Sequence, residues 1–137
     1  MAALAAARED NRQDGVLTEY PVAASKIYKG SLVALNTSGY AKAGADTASE
    51  KFVGVAYEDV DNSGGSAGDL KVRVWQSGTF EAIFGGTATQ ADVGKQVYIS
   101  DDQTVDLAAA LTNDVLVGRI TEFIDADQVR VAITPHV

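Results

Sequence analysis

The sequence predicts an all-β fold: a small barrel or sandwich of about eight short, mostly antiparallel strands, with one short helical turn and an extended N-terminal arm. Three observations lead there. Short apolar runs recur at close, regular spacing, each bounded by Gly, Ser, Asp or Asn. Several of them alternate apolar and polar residues, the period of a half-buried strand. The turn-forming pairs fall between the runs: "SG" at 38–39 and 77–78, "SGG" at 63–65 and "GG" at 85–86.

Taken in order, strands are expected near 31–36 (SLVALN), 51–57 (KFVGVAY), 70–76 (LKVRVWQ), 79–84 (TFEAIF), 96–100 (QVYIS), 104–108 (TVDLA), 115–123 (VLVGRITEF) and 128–134 (QVRVAIT). In the third, Leu70, Val72 and Val74 share one face, and Lys71, Arg73 and Trp75 the other. In the last, Val129, Val131 and Ile133 oppose Gln128 and Arg130. "DAD" at 125–127 joins the last two strands as a tight hairpin. The helical piece is "TQADVG", with Thr89 as N-cap, Asp92 completing a capping-box pattern and Gly94 stopping the turn.

The chain has 137 residues, one domain's worth. Residues 1–19 form the arm and 20–137 the β-rich domain. "AALAAARED" offers a turn or two of helix, too short to stand alone. Leu4, Val16 and Leu17 are the larger aliphatics of the arm after Met1, too few for a private core. Arg8 and Arg12, four apart, would share one side of a helical turn.

There is no cysteine, which excludes disulfides, thiolate metal sites and a cysteine nucleophile. The formal net charge of -8 excludes the basic footprint of a nucleic-acid binder. No apolar run reaches the length of a membrane span, and the N-terminus lacks the basic and apolar regions of a signal peptide. Between residues 46 and 69, Asp46, Glu50, Glu58, Asp59, Asp61 and Asp69 stand against Lys51 alone.

The chemistry-bearing patterns are incomplete. Asp59, Asp61, Ser63 and Gly64 match the first half of a calcium loop, but its twelfth position is Leu70, where a bidentate Glu is needed. "GGSAG" is neither GxGxxG nor a P-loop and reads as turn glycine. His136, the single histidine, lies next to the C-terminal residue, where nothing orients it for a catalytic triad. Asp101 and Asp102 in "SDDQT" read as a β-turn. No catalytic residue, metal ligand or cofactor is assigned. Trp75, flanked on its face by Lys71 and Arg73, is either an oligomer contact or a second apolar layer of the domain. A carbohydrate-binding module stacking sugars on Trp75 and Tyr98 is the alternative function.

The order of the segments resembles a family. "YKGSLVALNTSGYAKAGADTASEKFVGVAYEDV" is followed by "GDLKVRVWQSGTFEA", "TATQADVGKQVYISDDQTVDL" and "VLVGRITEFIDADQVRVAITP". The pattern is K-G-x-x-V at Lys29 to Val33, F-V-G-V-A at Phe52 to Ala56 and V-x-V-x-x-x-G at Val72 to Gly78. D-x-G-x-x-V-Y follows at Asp92 to Tyr98, then V-G-R-I and V-x-V-x-I between Val117 and Ile133. Over about residues 20–135 it looks like the small capsid decoration, or cement, proteins of tailed bacteriophages. The resemblance implies a structural, non-enzymatic virion protein, made in the host cytoplasm, that binds the outer capsid surface and stabilises the major-capsid-protein lattice. It implies a homotrimer, with Lys71, Arg73 and Trp75 as candidate oligomer contacts. It also implies capsid contacts by the arm, for which Leu4, Arg8, Arg12, Val16 and Leu17 are the candidates, and no nucleic acid or membrane partner.

Overall fold

The computed structural model describes residues 16–135. Over that span the chain is all-β, with twelve strands and two single 3-10 turns. The strands are β1 (Leu17–Pro21), β2 (Lys26–Ile27), β3 (Leu32–Leu35), β4 (Ala41–Ala43), β5 (Lys51–Ala56) and β6 (Val60–Asp61). They continue as β7 (Lys71–Trp75), β8 (Thr79–Phe84), β9 (Gln96–Ile99), β10 (Thr104–Asp106), β11 (Leu116–Asp125) and β12 (Gln128–Ile133). Each of the eight expected strands is present. The four additional ones, β1, β2, β4 and β6, are two to five residues long.

The second half of the chain closes a five-stranded barrel in the order β10-β8-β12-β11-β9. Its pairings are antiparallel except for β8 with β10. Period-2 patterning builds it: Val129, Val131 and Ile133 point into the core as their alternation requires. Ala126 and Asp127 turn the β11–β12 hairpin, and the Asp125 carboxylate accepts the Asp127 N–H at 2.8 Å. The expected helical turn lies at Gln90–Asp92, where the Asp92 carboxylate accepts the Thr89 N–H at 2.9 Å and Lys95 Nζ at 2.9 Å. Lys95 first, and the Thr89 N–H second, hold the Asp92 carboxyl below its ordinary range. A second 3-10 turn occupies Ala108–Ala110, where three alanines carry no strand pattern.

The first half forms an antiparallel sheet in the order β1-β7-β5-β3-β4. Its ends approach each other: Val22, just past β1, bridges in parallel to Ala41, and the Ala23 N–H donates to the Ala41 carbonyl at 2.9 Å. The β2–β6 ribbon caps the resulting curl, so Ile27 and Val60 join Val33, Val53, Val72 and Val74 in one buried cluster. The other face of the sheet gives Leu32, Ala34, Phe52 and Val55 to the barrel core.

The segment Phe52–Ala56 serves both cores through a bulge. Phe52 pairs with Ala34 and Gly54 with Val33, leaving Val53 as an extra residue in β5. Phe52 and Val55 therefore face the barrel, while Val53 and Ala56 face the curl. A regular strand would have placed Phe52 and Ala56 on one face.

Asp46 clamps the two halves together. Its carboxylate accepts the N–H groups of Thr112 and Asn113, each at 2.9 Å, and its carbonyl accepts the Asn113 side-chain amide at 2.9 Å. The two backbone N–H groups hold the Asp46 carboxyl below its ordinary range. A carboxyl depressed on folding contributes stability that is present above its unfolded value, about 3.9, and lost as pH falls through the lower folded value. Stability is thus expected to decline on acidification below about pH 4. Asp46→Asn should flatten that decline, which urea titrations across the acid range measure. An unchanged pH profile in the variant would count against the clamp.

Candidate functional site

The loop following β5 carries the acidic and glycine-rich motif. Its carboxylates are taken up by backbone groups, those of Asp61 and Asp69 within the loop and that of Asp59 at the β2–β3 connection. Asp59 accepts the Lys29 N–H at 2.6 Å. Asp61 accepts the Ser63 N–H at 3.0 Å and its hydroxyl at 2.5 Å, which keep its carboxyl below the ordinary range. Asp69 accepts the Ser66 N–H at 2.9 Å. Among the described residues, no three acidic or imidazole side chains gather as a metal-ligand group. The residue that organises the loop is Asn62, which sequence reasoning passed over. It is 3% exposed, and its Nδ2 donates to the carbonyls of Val22, Ala23 and Ser66 at 3.1, 3.2 and 2.9 Å. An Asn between Asp and Ser in a glycine-rich loop is the local signal for such a role.

Asp101 accepts the Gln103 N–H at 2.9 Å, the geometry of the expected turn. The Asp102 carbonyl takes the Leu32 N–H at 2.8 Å and thereby joins barrel to sheet. His136 lies outside the described residues.

β7 presents the expected outward face. Lys71 and Arg73 are exposed and Trp75 is half-buried, while Val72 and Val74 are fully buried on the other side. Leu70 departs from the expected pattern. It is 44% exposed, because the ladder with β1 begins at Lys71, opposite Pro21. Beyond that point the alternation has no sheet to follow; only the Leu70 carbonyl is used, accepting the Val22 N–H at 2.9 Å.

Arg73 donates Nε to Glu58 at 2.7 Å, holding the Glu58 carboxyl below its ordinary range. Its guanidinium lies 4.8 Å from the Tyr57 ring centre, and Tyr57 meets Trp75 edge-on at 5.3 Å. Trp75 also packs against the barrel core. Trp75→Ala is accordingly expected to cost about 3 kcal/mol of folding stability. Chemical denaturation checks this, and a loss below about 1 kcal/mol would show that the indole contributes little to the core.

Of the arm candidates, Leu4, Arg8 and Arg12 lie outside the described residues. Leu17 pairs with Trp75 and Thr18 with Val74, so residues 17–19 are the start of β1. The Val16 carbonyl accepts the Gln76 N–H at 2.8 Å, extending the ladder by one step. The structure thus brings two candidate groups together, Leu17 of the arm and Trp75 of the outward face. It does not join Trp75 to Tyr98, which sits in β9 of the barrel with its hydroxyl directed at Gln96.

A cleft runs between the curled sheet and the barrel. One stretch of about 300 Å³ has Leu32, Val55, Phe80 and Ile83 among its lining residues. It continues past Gly30 and Gln103 into a second stretch of about 290 Å³ bordered by Tyr28, Lys29 and Asp102. Tyr28 is 56% exposed and Ile83 37%.

No family model and no curated protein matches this chain. Among solved structures, it is similar to the N base of the head fiber gp8.5 of bacteriophage phi29, with a TM-score of 0.49 and 19% sequence identity, over 87% of this chain and 95% of that one.

Proposed function

We propose that this chain is a structural virion protein that binds the outer surface of a tailed-phage capsid and stabilises the lattice of its major capsid protein. The observation that carries the reading is where the residues of the sequence resemblance fall. The F-V-G-V-A segment is the bulged strand that feeds both cores. The D-x-G-x-x-V-Y segment is the capped turn leading into β9; its Gly94 N–H donates to the Ile120 carbonyl at 2.8 Å. V-G-R-I and V-x-V-x-I are the paired β11 and β12. The residues that carry the resemblance thus include joints of this fold, and the functional reading rests on that resemblance.

In this reading the partner is the major capsid protein, and the bound form is a homotrimer. The outward face of β7, with Lys71, Arg73 and the exposed part of Trp75, is the oligomer contact, and the part of the arm ahead of β1, with Leu4, Arg8 and Arg12, reaches the neighbouring capsid subunits. Many weak contacts repeated over a lattice hold firmly once they are linked. The test is sedimentation of the purified chain with capsids assembled from the major capsid protein of the genome that encodes it, followed by imaging of the decorated shells. Saturable binding at threefold positions is expected. A chain that stays in the supernatant at every capsid concentration would exclude the reading.

A further inference from the structure

The barrel carries an unfinished edge. The Phe84 N–H donates to the Asp127 carbonyl at 2.7 Å, and the Ile133 N–H donates to the Gly78 carbonyl at 3.1 Å. An antiparallel ladder alternates, so Phe80 and Ala82 also direct their backbone groups at β12, and Thr79, Glu81 and Ile83 direct theirs away from it. Ile83 is met on that side: its N–H donates to the Gln103 carbonyl at 3.0 Å. Glu81 and Thr79 are not, because β10 begins only at Thr104, opposite Ile83. The chain is drawn off just upstream, where Asp101 takes the Gln103 N–H and the Asp102 carbonyl takes the Leu32 N–H. The outward backbone groups of Thr79 and Glu81 consequently have no partner among the described residues.

That edge borders the cleft. Glu81 lines it together with buried Leu32 and Val55, half-buried Phe80 and exposed Ile83. An extended chain placed there would find unpaired backbone groups along one side and apolar surface beneath. Acidic groups outnumber basic ones around the cleft, with Lys26 Nζ lying over the ring of the lining Tyr28 at 4.6 Å. Glu81 and Asp102 line it, Asp101 and Asp127 are the chain neighbours of the lining Asp102 and Gln128, and Asp59 holds the Lys29 N–H at its rim. Lys29 is the one cation among the lining residues. Arg130, behind Glu81, is already paired with Glu81 and Glu122.

We propose that the Thr79–Glu81 edge and its cleft form a strand-addition site for an extended, basic segment of a partner protein, with aliphatic residues turned to the floor and Lys or Arg turned to the acidic rim. The site does not rest on the virion reading, and its test needs no capsid. Proline at position 81 removes the outward N–H while leaving the β12 ladder intact, since that N–H belongs to the open side. Glu81→Ala is its control, because both variants lose the carboxylate and the alanine keeps the N–H.

The full chain is titrated with a fluorescent decapeptide of alternating valine and lysine. Saturable binding is expected, weaker in Glu81→Pro than in Glu81→Ala by roughly tenfold, the value of one hydrogen bond. A valine–glutamate decapeptide should bind far more weakly. Amide exchange at Thr79 and Glu81 in the unsubstituted chain should slow when the valine–lysine peptide is added, which keeps the proposal testable if the proline variant does not fold. Absence of saturable binding, equal affinity of the two variants, equal affinity of the two peptides or unchanged exchange would each overturn it. Self-association of the chain that Glu81→Pro abolishes would also overturn it, by giving the edge to a second copy.

Discussion

Gly118→Ala is expected to remove most of the folding stability of this protein, with Gly54→Ala close behind. A Cβ on Gly118 would lie 1.9 Å from the Ala132 carbonyl oxygen, 2.9 Å from its carbon and 3.1 Å from the Ile133 Cα. All three are backbone atoms of β12, the strand that pairs with Gly118 in the barrel wall. No side chain can rotate away, so the barrel must open locally to admit a methyl group. At Gly54 the Cβ would meet the Trp75 carbonyl oxygen at 2.1 Å, and φ is +149°, a backbone state that L side chains rarely adopt. Each substitution should cost about 4 kcal/mol or more, against a total of roughly 5–15 kcal/mol for a domain. Gly64 is the control, because a Cβ there meets nothing within 4 Å. Gly64→Ala should stay within about 0.5 kcal/mol of the parent. Urea midpoints of the three variants decide the matter. A Gly118→Ala protein with the parent's midpoint would mean that the β11–β12 approach is looser than described.

Asn62→Asp is expected to be nearly as damaging, and in a pH-dependent way. The change replaces an amide that donates to three carbonyls with a carboxylate that can only accept. Four oxygen-bearing groups would then face one another in a site that is 3% exposed. The expected loss at neutral pH is about 3 kcal/mol, the cost of a buried group opposed to its surroundings. Protonation restores a donor, so folding should raise the pKa of the new carboxyl. A group raised on folding has its stability intact below the unfolded value and loses it as pH climbs above. The difference between variant and parent should therefore shrink from pH 7 toward about pH 4. Asn62→Ala, which has no titrating group, should show a deficit that does not narrow in this way. Paired denaturation curves at the two pH values separate these cases. A deficit that is flat with pH in Asn62→Asp would place Asn62 outside the role given to it.

These residues show how much of the molecule the sequence made legible. Where a strand packs one face on a core, alternation marks it, and β7, β8 and β12 were readable for that reason. The capped turn before β9 was readable because capping is local chemistry. β2 and β6 are two residues each, too short to show a period, and β4 is the alanine–lysine–alanine stretch at 41–43. β1 pairs residues with partners fifty or more positions away, and nothing local announces it. It also places Leu17, Thr18 and Glu19 in the sheet, inside the span read as arm. Leu70 shows the limit of periodicity, which continues past the last residue that has a neighbouring strand to pack on. In the candidate site, the outward placement of Lys71 and Arg73 followed from parity alone. The half-burial of Trp75 depends on Tyr57 and the barrel, and the cleft depends on where β10 starts. Both are tertiary facts with no sequence signature.

The proposed function is tested most directly by the heat stability of shells. Capsids of the encoding phage, prepared without this chain, would be melted alone and with the purified full-length chain in excess, with shell rupture followed by light scattering or dye access to packaged DNA. The rupture temperature is expected to rise with added chain and to saturate at a fixed number of copies per capsid. A rupture temperature that stays the same while the chain is demonstrably folded and present in excess would contradict the proposed function.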